Sequence, residues 1–202
     1  MEITIEPVVN IKDEVAMFRI REQVFKREMG ISLARLTALD NSCSFHLLAR
    51  VNSDGDAVAA LSVVDTSGRH ELHECYGLRF HDGARVARYT QLAVLRPYRG
   101  MNIPLMLMLE AHRRFVAPVQ LDYTWLLFDA HRAASSLMCK WLGFAPGEGA
   151  FDSEYGLSRT LLRDERAPQS EHAIWRTEQY FEQMSKAFSA PRKEVVLPAS
   201  SA

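Results

Sequence analysis

The sequence predicts one mixed α/β domain, and three observations support this prediction. The chain has 202 residues, a length that a single domain can fold around one core. Short β-rich apolar runs alternate with longer runs in which apolar residues recur at helical spacing. The stretch from Ala84 to Phe115 joins both patterns, because an alternating run ends at Leu95, Pro97 interrupts it, and a helical run begins near Ile103. We interpret this strand–loop–helix unit as the centre of the domain.

Strands and helices are predicted along the rest of the chain as well. One helix is predicted over Ile11–Met29 and ends at Gly30, and a polar, irregular segment from Ser32 to Ser44 follows it. The predicted apolar face of that helix consists of Val15, Phe18, Val24 and Phe25. The other predicted elements are strands over Ile3–Pro7, Phe45–Val51, Ala57–Asp65, Val119–Phe128 and Glu154–Leu162, and helices over Ala133–Leu142 and Ser170–Phe188.

The predicted organisation has three parts. Residues 1–163 form the domain, residues 164–189 form a C-terminal helical extension, and residues 190–202 are expected to be a disordered tail. The extension helix is expected to pack on the domain, and a lid over a pocket or a homodimer contact are its alternatives.

Composition excludes several classes of function. The formal net charge is −1, so no global field directs the chain to nucleic acid or to a membrane. The first residues lack the basic and apolar regions of a signal peptide, and no apolar run has the length of a membrane span. Three widely spaced cysteines favour free thiols in a reducing compartment, so we expect a cytoplasmic protein.

Two short segments raise the question of ligand binding. Arg96-Pro-Tyr-Arg-Gly-Met-Asn forms a basic loop before a predicted helix, and helix N-termini bind anions through unpaired N–H groups and the helix dipole. His70, His73 and Glu74 could face one another on a helical turn. Because a clear fourth ligand is missing there, we interpret Ser67 to Gly83 as a surface connector and expect no metal.

The central unit resembles a known family. LAVLRPYRGMNIPLMLML resembles the pyrophosphate-loop motif of the GNAT superfamily of N-acetyltransferases, with Arg99 in its first place after Tyr98 and before Gly100. The two later glycines of that motif are replaced by Asn102 and Pro104. The resemblance implies a mixed, mainly antiparallel central sheet flanked by helices, in which two neighbouring strands splay apart.

A second segment resembles one branch of that superfamily. FRIREQVFKREMGI resembles the Phe-Arg-x-Arg-x-x-Val-Phe-x-x-Glu opening of the acyl-homoserine-lactone synthases and the long-chain N-acyl amino acid synthases. The matching residues are Arg19, Arg21, Val24, Phe25 and Glu28. By this resemblance Arg19, Arg21 and Phe25 belong to the substrate-binding region, together with Arg88.

The resemblance also implies how a donor would bind. The backbone of Gln91, Leu92, Ala93 and Val94 would contact the pantetheine and the thioester, with Gln91 beside the reacting carbonyl. Phosphate would meet the loop residues Arg96, Arg99, Gly100, Met101 and Asn102. Because glycine permits close backbone approach and Asn102 and Pro104 restrict it, we expect acyl-phosphopantetheine on an acyl carrier protein as the donor. Acyl-CoA is the alternative donor.

The general base departs from the pattern of the branch. The branch usually carries Glu-x-Ser-Arg on the fourth strand, whereas this chain has Arg88 in the place of Glu and Gln91 in the place of Arg. Asp129 and His131 are substitutes, because histidine suits proton transfer near neutral pH. The alternative, in which Asp129 only caps a helix and His131 is a loop residue, stays open. Arg88 indicates a carboxylate on the acceptor or the acyl group.

LMCKWLGF resembles the end of the second cofactor motif, and Cys139 stands where a tyrosine often acts as the acid.

These observations lead to two classes of function. The first is an N-acyltransferase that acylates an amino acid or another small amine in specialised metabolism. The second is a non-catalytic GNAT-like module that binds acyl or pantetheine groups. An acyl-homoserine-lactone synthase is a narrower alternative, disfavoured by the replaced Glu and Arg.

Overall fold

The computed structural model describes residues 2–32, 44–51, 55–129, 135–153 and 155–189. Its helices are α1 (Ile11–Arg21), which continues as a π-helical segment (Glu22–Glu28), α2 (His70–Cys75), α3 (Ile103–Ala111), which continues through a π-helical segment (His112–Val116) and a last turn (Ala117–Val119), α4 (Ser135–Leu142) and α5 (Pro168–Ser189). Its strands are β1 (Ile3–Pro7), β2 (Ser44–Val51), β3 (Ala57–Asp65), β4 (Val86–Val94), β5 (Tyr123–Asp129), β6 (Ala145–Pro146), β7 (Phe151–Ser153) and β8 (Gly156–Asp164).

The strands form one twisted sheet that holds the domain together. Within the described residues the order is β1-β2-β3-β4-β5-β8-β6, and β7 pairs with β8. Neighbouring strands are antiparallel, except that β4 and β5 are parallel. The structure therefore confirms the predicted mixed, mainly antiparallel sheet flanked by helices.

Helices cover both faces of this sheet, which explains why β3 and β4 are buried along almost their whole length. On one face, α1 packs Met17, Ile20, Val24 and Phe25 against Leu48, Ala60 and Ala93. On the other face, α3 packs Ile103, Leu105, Leu107 and Met108 against Leu47, Leu61 and Val63. The predicted apolar face of α1 was half wrong, because Val15 and Phe18 are 45% and 51% exposed.

Several predicted boundaries differ from the structure. β5 begins at Tyr123 rather than Val119, because the helical turn Ala117–Val119 prolongs the preceding helix. The last helix begins at Pro168, a residue that suits a first helical turn. Ser170, predicted as the first residue of this helix, therefore lies inside α5 with its side chain buried. The predicted tail, residues 190–202, lies outside the described residues.

The segment interpreted as a surface connector is partly built into the core. His73 of α2 is 3% exposed, and its Nε2 lies 3.1 Å from Thr66 Oγ1, to which Trp125 Nε1 also donates at 3.2 Å. Over the described part of the chain, no three His, Cys, Asp or Glu side chains are placed to hold a metal ion. The same residues include no helix with the length and apolarity to cross a membrane.

A buried ion pair fastens β8 to the elements behind the sheet. Arg163, which is 2% exposed, donates to Glu165 at 2.7 Å and to the Leu142 carbonyl oxygen at 3.0 Å. Its guanidinium also lies 4.9 Å from the centre of the Phe144 ring. Thr124 Oγ1 of β5 donates to the same Glu165 carboxylate. Because both charges are paired and hydrogen-bonded, the pairing offsets the cost of burying them. Removal of either side chain would leave the other as an unpaired buried charge.

His112 adjoins this ion pair and should give the protein an acid-sensitive stability. Burial, followed by the positive charges of Arg163 and Arg113, lowers the pKa of His112 from 6.5 to about 4. Between these values the unfolded chain binds a proton that the folded chain does not, so the free energy of unfolding should fall as the pH drops. The loss should reach about 3 kcal/mol.

Chemical denaturation from pH 7 to pH 4 tests this expectation. His112→Gln should show a shallower pH dependence than the wild-type chain, whereas His172→Gln, at an exposed position of α5, should match the wild type. Equal slopes for His112→Gln and wild type would mean that His112 titrates alike in both states.

Candidate functional site

The site begins where the parallel strands β4 and β5 separate. Their paired residues run from Val86 and Tyr123 to Tyr89 and Leu126. Beyond that point β4 stays paired with β3 as far as Val94, and β5 stays paired with β8 as far as Asp129. The sheet therefore opens between two halves that are each intact.

A β-bulge lies on β4 just past the start of this opening. Thr90 pairs with Ser62 and Ala93 pairs with Ala60, so β4 carries one extra residue between these two pairs. Gln91 takes up the irregularity with a φ of 53°, in the left-handed region that costs a non-glycine residue on the order of 1 kcal/mol. The Gln91 N–H group points across the opening and donates to Tyr155 Oη at 3.2 Å.

A row of polar side chains crosses the sheet on the face covered by α1. Arg21, which is 6% exposed, donates from Nη2 to Ser62 Oγ. The same oxygen lies 2.6 Å from His46 Nδ1 on β2. On β4, Thr90 Oγ1 lies 3.1 Å from Tyr155 Oη. The α1 helix and three adjacent strands thus carry a row of hydrogen-bonding groups that ends at Thr90, beside the opening.

A second buried guanidinium belongs to the same face. Arg88 is 1% exposed, and it precedes Thr90 by two residues, so both side chains point to the same side of β4. Its Cζ atom lies 4.9 Å from the centre of the Trp125 ring and 5.6 Å from that of Tyr76. Arg21 and Arg88 thus place two guanidinium groups on this face, and guanidinium groups can bind carboxylates and phosphates.

The loop after β4 makes a tight turn into α3. Gly100 and Asn102 have φ values of 92° and 58°, and α3 begins at Ile103, directly after them. Asn102 tolerates the left-handed region better than most residues other than glycine. Pro104 occupies the first turn of α3, where it supplies no N–H group. The loop therefore combines two residues in the left-handed region with a helix start that lacks the N–H group of Pro104.

Arg99 of this loop contacts the π-helical segment that continues α1. Its Nε donates to the Val94 carbonyl oxygen at 3.0 Å, and its Nη2 lies 2.5 Å from Glu28 Oε2, at the end of the π-helical segment. The hydrogen bond from Arg99 lowers the pKa of Glu28. Both residues line an open groove of about 710 Å³, together with Gln23, Leu95, Arg96 and Pro97.

The structure gathers most of the predicted site residues. Arg21, Phe25 and Arg88 lie on one face of the opening, whereas Arg19 is exposed on the outer side of α1. The backbone of Leu92, Ala93 and Val94 continues β4 along the opening, and Arg96, Arg99, Gly100, Met101 and Asn102 form the loop at its end.

The two proposed proton-transfer residues have different outcomes. Asp129 is the last residue of β5, on the far side of the opening, and His131 lies outside the described residues. Cys139 is partly buried on α4 against the main core, and this burial raises the pKa of its thiol. Sequence reasoning missed Tyr155 and Ser62, which belong to no motif and meet the site only through tertiary contacts.

This arrangement defines the class of the fold. The chain has the fold of the GNAT acyltransferases, as comparison with solved structures shows. No protein-family model matches the sequence, and no curated protein matches it as a relative.

Three solved structures illustrate the likeness. The CoA-dependent acyl-homoserine lactone synthase BjaI, solved with SAM and isopentyl-CoA, has a TM-score of 0.65 and 16% identity over 88% of this chain and 90% of its own. FeeM, an N-acyl amino acid synthase from uncultured soil microbes, has a TM-score of 0.59 and 14% identity over 81% and 90%. An acyl-CoA N-acyltransferase from Pseudomonas aeruginosa has a TM-score of 0.59 and 20% identity over 80% and 98%.

The contact between Arg99 and Glu28 can be tested directly. Arg99→Ala removes the main cause of the lowered Glu28 pKa, so that pKa should rise toward its ordinary value of 4.5. An NMR titration of the glutamate side-chain carboxyl carbons would measure the change, with Arg114→Ala as the matched control, since Arg114 pairs with Glu110 instead. An unchanged Glu28 titration in Arg99→Ala would show that the pair does not form in solution.

Proposed function

We propose that the protein is an N-acyltransferase. It would move an acyl group from a thioester on a phosphopantetheine arm to the amine of an amino acid or a similar small acceptor. The observation that carries this proposal is the opening between β4 and β5, which has a phosphate-type loop at one end and a buried electropositive face beside it. A donor and an acceptor can therefore meet at one edge of the sheet, as acyl transfer requires.

The donor side rests on the loop and on the β4 backbone. Backbone groups of Leu92, Ala93 and Val94 face an opening in which β5 no longer pairs with them, so they are available to the amide groups of a pantetheine arm. The start of α3 and the guanidinium groups of Arg96 and Arg99 would hold phosphate. We propose an acyl carrier protein as the carrier, with acyl-CoA as the second donor of the same chemistry.

The acceptor side rests on charge. Arg21 and Arg88 are both buried on the α1 face, and a desolvated guanidinium binds a carboxylate more strongly than an exposed one does. An acceptor with a carboxylate next to its amine would place the nitrogen near the β4 bulge. Phe25, which packs on the same side, would contact the apolar part of either substrate.

Proton removal from the amine needs a base near the acceptor. We retain Asp129 and His131 in this role, because β5 ends at the opening and His131 follows two residues later in the sequence. His46 is a second imidazole on the same face as the acceptor, and its Nδ1 is oriented by Ser62.

A direct experiment separates this function from that of a binding module. The purified protein would be incubated with acyl-CoA or acyl carrier protein thioesters and a mixture of amino acids, and products would be identified by mass spectrometry. An N-acyl product supports the transferase. Tight binding of the thioester without any product would favour the non-catalytic module.

Arg88→Met should selectively weaken the binding of acceptors that carry a carboxylate. The loss of one charge-assisted hydrogen bond, worth about 1.5–3 kcal/mol, should raise the KM for an amino acid about 10- to 100-fold. The KM for the corresponding amino acid amide should change little, because the amide has no carboxylate. Steady-state kinetics would measure both, with Arg159→Met, at an exposed position of β8, as the control. An equal loss with acid and amide would contradict carboxylate recognition by Arg88.

The donor class should depend on Pro104. We expect a higher kcat/KM with an acyl carrier protein than with the matched acyl-CoA, because a single phosphate asks for fewer N–H donors than a diphosphate. Pro104→Ala restores one N–H group and should raise kcat/KM for acyl-CoA about tenfold. Asn102→Gly should not, since Asn102 already has the left-handed conformation. A wild-type preference for acyl-CoA would overturn the carrier-protein proposal and leave the transferase intact.

A further inference from the structure

A second cavity lies at the closed end of the β4–β5 pair, away from the opening. The connector between β3 and β4 encloses it, and its volume is about 140 Å³. Its floor is formed by His73, Ala84 and Val86, which are all buried, whereas its rim, which includes His81, is exposed. Four strand positions, or about 13 Å, separate Val86 from Thr90 at the opening. The two sites are therefore distinct.

Three hydrogen bonds determine which nitrogen of His73 carries a hydrogen. Trp125 Nε1 donates to Thr66 Oγ1 at 3.2 Å, and Thr66 Oγ1 donates to the Val86 carbonyl oxygen at 3.3 Å. His73 Nε2 lies 3.1 Å from the same hydroxyl oxygen. A hydroxyl group has a single hydrogen, so the three bonds form together only when His73 Nε2 donates. The neutral ring then carries a lone pair on Nδ1 that can accept a hydrogen bond.

This lone pair is available to a ligand. Among the described residues, His73 Nδ1 has no hydrogen-bond partner. Burial, followed by the charge of His70, lowers the pKa of His73, so the ring is neutral near pH 7 and the lone pair persists. The ring is 3% exposed and lines the cavity. A buried acceptor without a partner costs free energy, which a ligand with a hydrogen-bond donor would recover.

The size and the walls of the cavity fit one aromatic ring. A cavity of about 150 Å³ can hold benzene, and this one has nearly the same volume. Phe80 forms one wall and meets His73 edge to face, with ring centres 4.7 Å apart. Ala84 and Val86 add apolar surface. Aromatic walls favour a ring as the occupant, because rings pack on one another in offset or edge-to-face arrangements.

We propose that this cavity is a ligand site for a single aromatic ring that carries an O–H or N–H donor. The ring packs against Phe80, and its donor bonds to His73 Nδ1. His73 and Trp125 share the Thr66 hydroxyl, and Arg88 Cζ lies 4.9 Å from the centre of the Trp125 ring. The occupant therefore contacts a chain of side chains that ends beside the opening. Binding at this site does not depend on acyl transfer.

Phenol is the probe, and anisole, which has the same ring without a donor, is its matched control. NMR of the nitrogen-labelled wild-type protein would follow the indole N–H signal of Trp125, identified because the other two indole signals vanish in Trp141→Phe and Trp175→Phe. Phenol should shift this signal saturably, with a Kd of about 1 mM for so small a ligand. Anisole should bind about fivefold more weakly, because it lacks one hydrogen bond.

Two variants extend the test. His73→Phe removes the acceptor and should abolish the advantage of phenol over anisole. Phe80→Ala removes a wall and should weaken both ligands about tenfold. His172→Gln, at an exposed position of α5, should match the wild type, and circular dichroism would check that each variant folds.

Three results would overturn the proposal. These are the lack of a saturable shift with phenol, equal affinities of the wild-type protein for phenol and anisole, and shifts confined to residues of the β4–β5 opening. All three are read on the wild-type protein, so they hold even if His73→Phe does not fold.

Discussion

The arrangement of the sheet depends on how early the pairing between β4 and β5 ends. β4 and β5 pair over only four positions, and each then continues with its outer neighbour alone. An opening in a sheet exposes backbone donors and acceptors that must find other partners. Here Tyr155 meets one of them, at Gln91, and the rest line the cleft. The cleft is stable because both halves are anchored, β4 by β3 and by α1, and β8 by the Arg163–Glu165 pair.

The two faces of the sheet use polar groups in different ways. Behind the sheet, Arg163 and Glu165 neutralise each other within an apolar layer, and their role is structural. On the α1 face, Arg21 and Arg88 bring like charges to one side of the opening. The two guanidinium groups thus lie on the face that borders the opening, and the Arg163–Glu165 pair lies on the opposite face.

The fold was more predictable from the sequence than the site was. β3, β4 and α3 were predictable because their apolar runs are long and bounded by turn residues. The apolar face of α1 was misjudged at Val15 and Phe18 because the buried positions follow a helical stripe through Met17, Ile20, Val24 and Phe25 that passes beside those two residues. Tyr155 could not be predicted as a site residue, since its contact with Gln91 spans 64 positions of the chain.

The Arg99–Glu28 pair connects the loop after β4 to the helix that carries Arg21 and Phe25. An anion that binds Arg99 must compete with the carboxylate of Glu28. When it does so, the end of the helix loses its contact with the loop. The two substrates would consequently not bind independently. In the proposed acyltransferase, occupancy of the loop would alter the entrance to the α1 face, which is a structural basis for a compulsory order of binding.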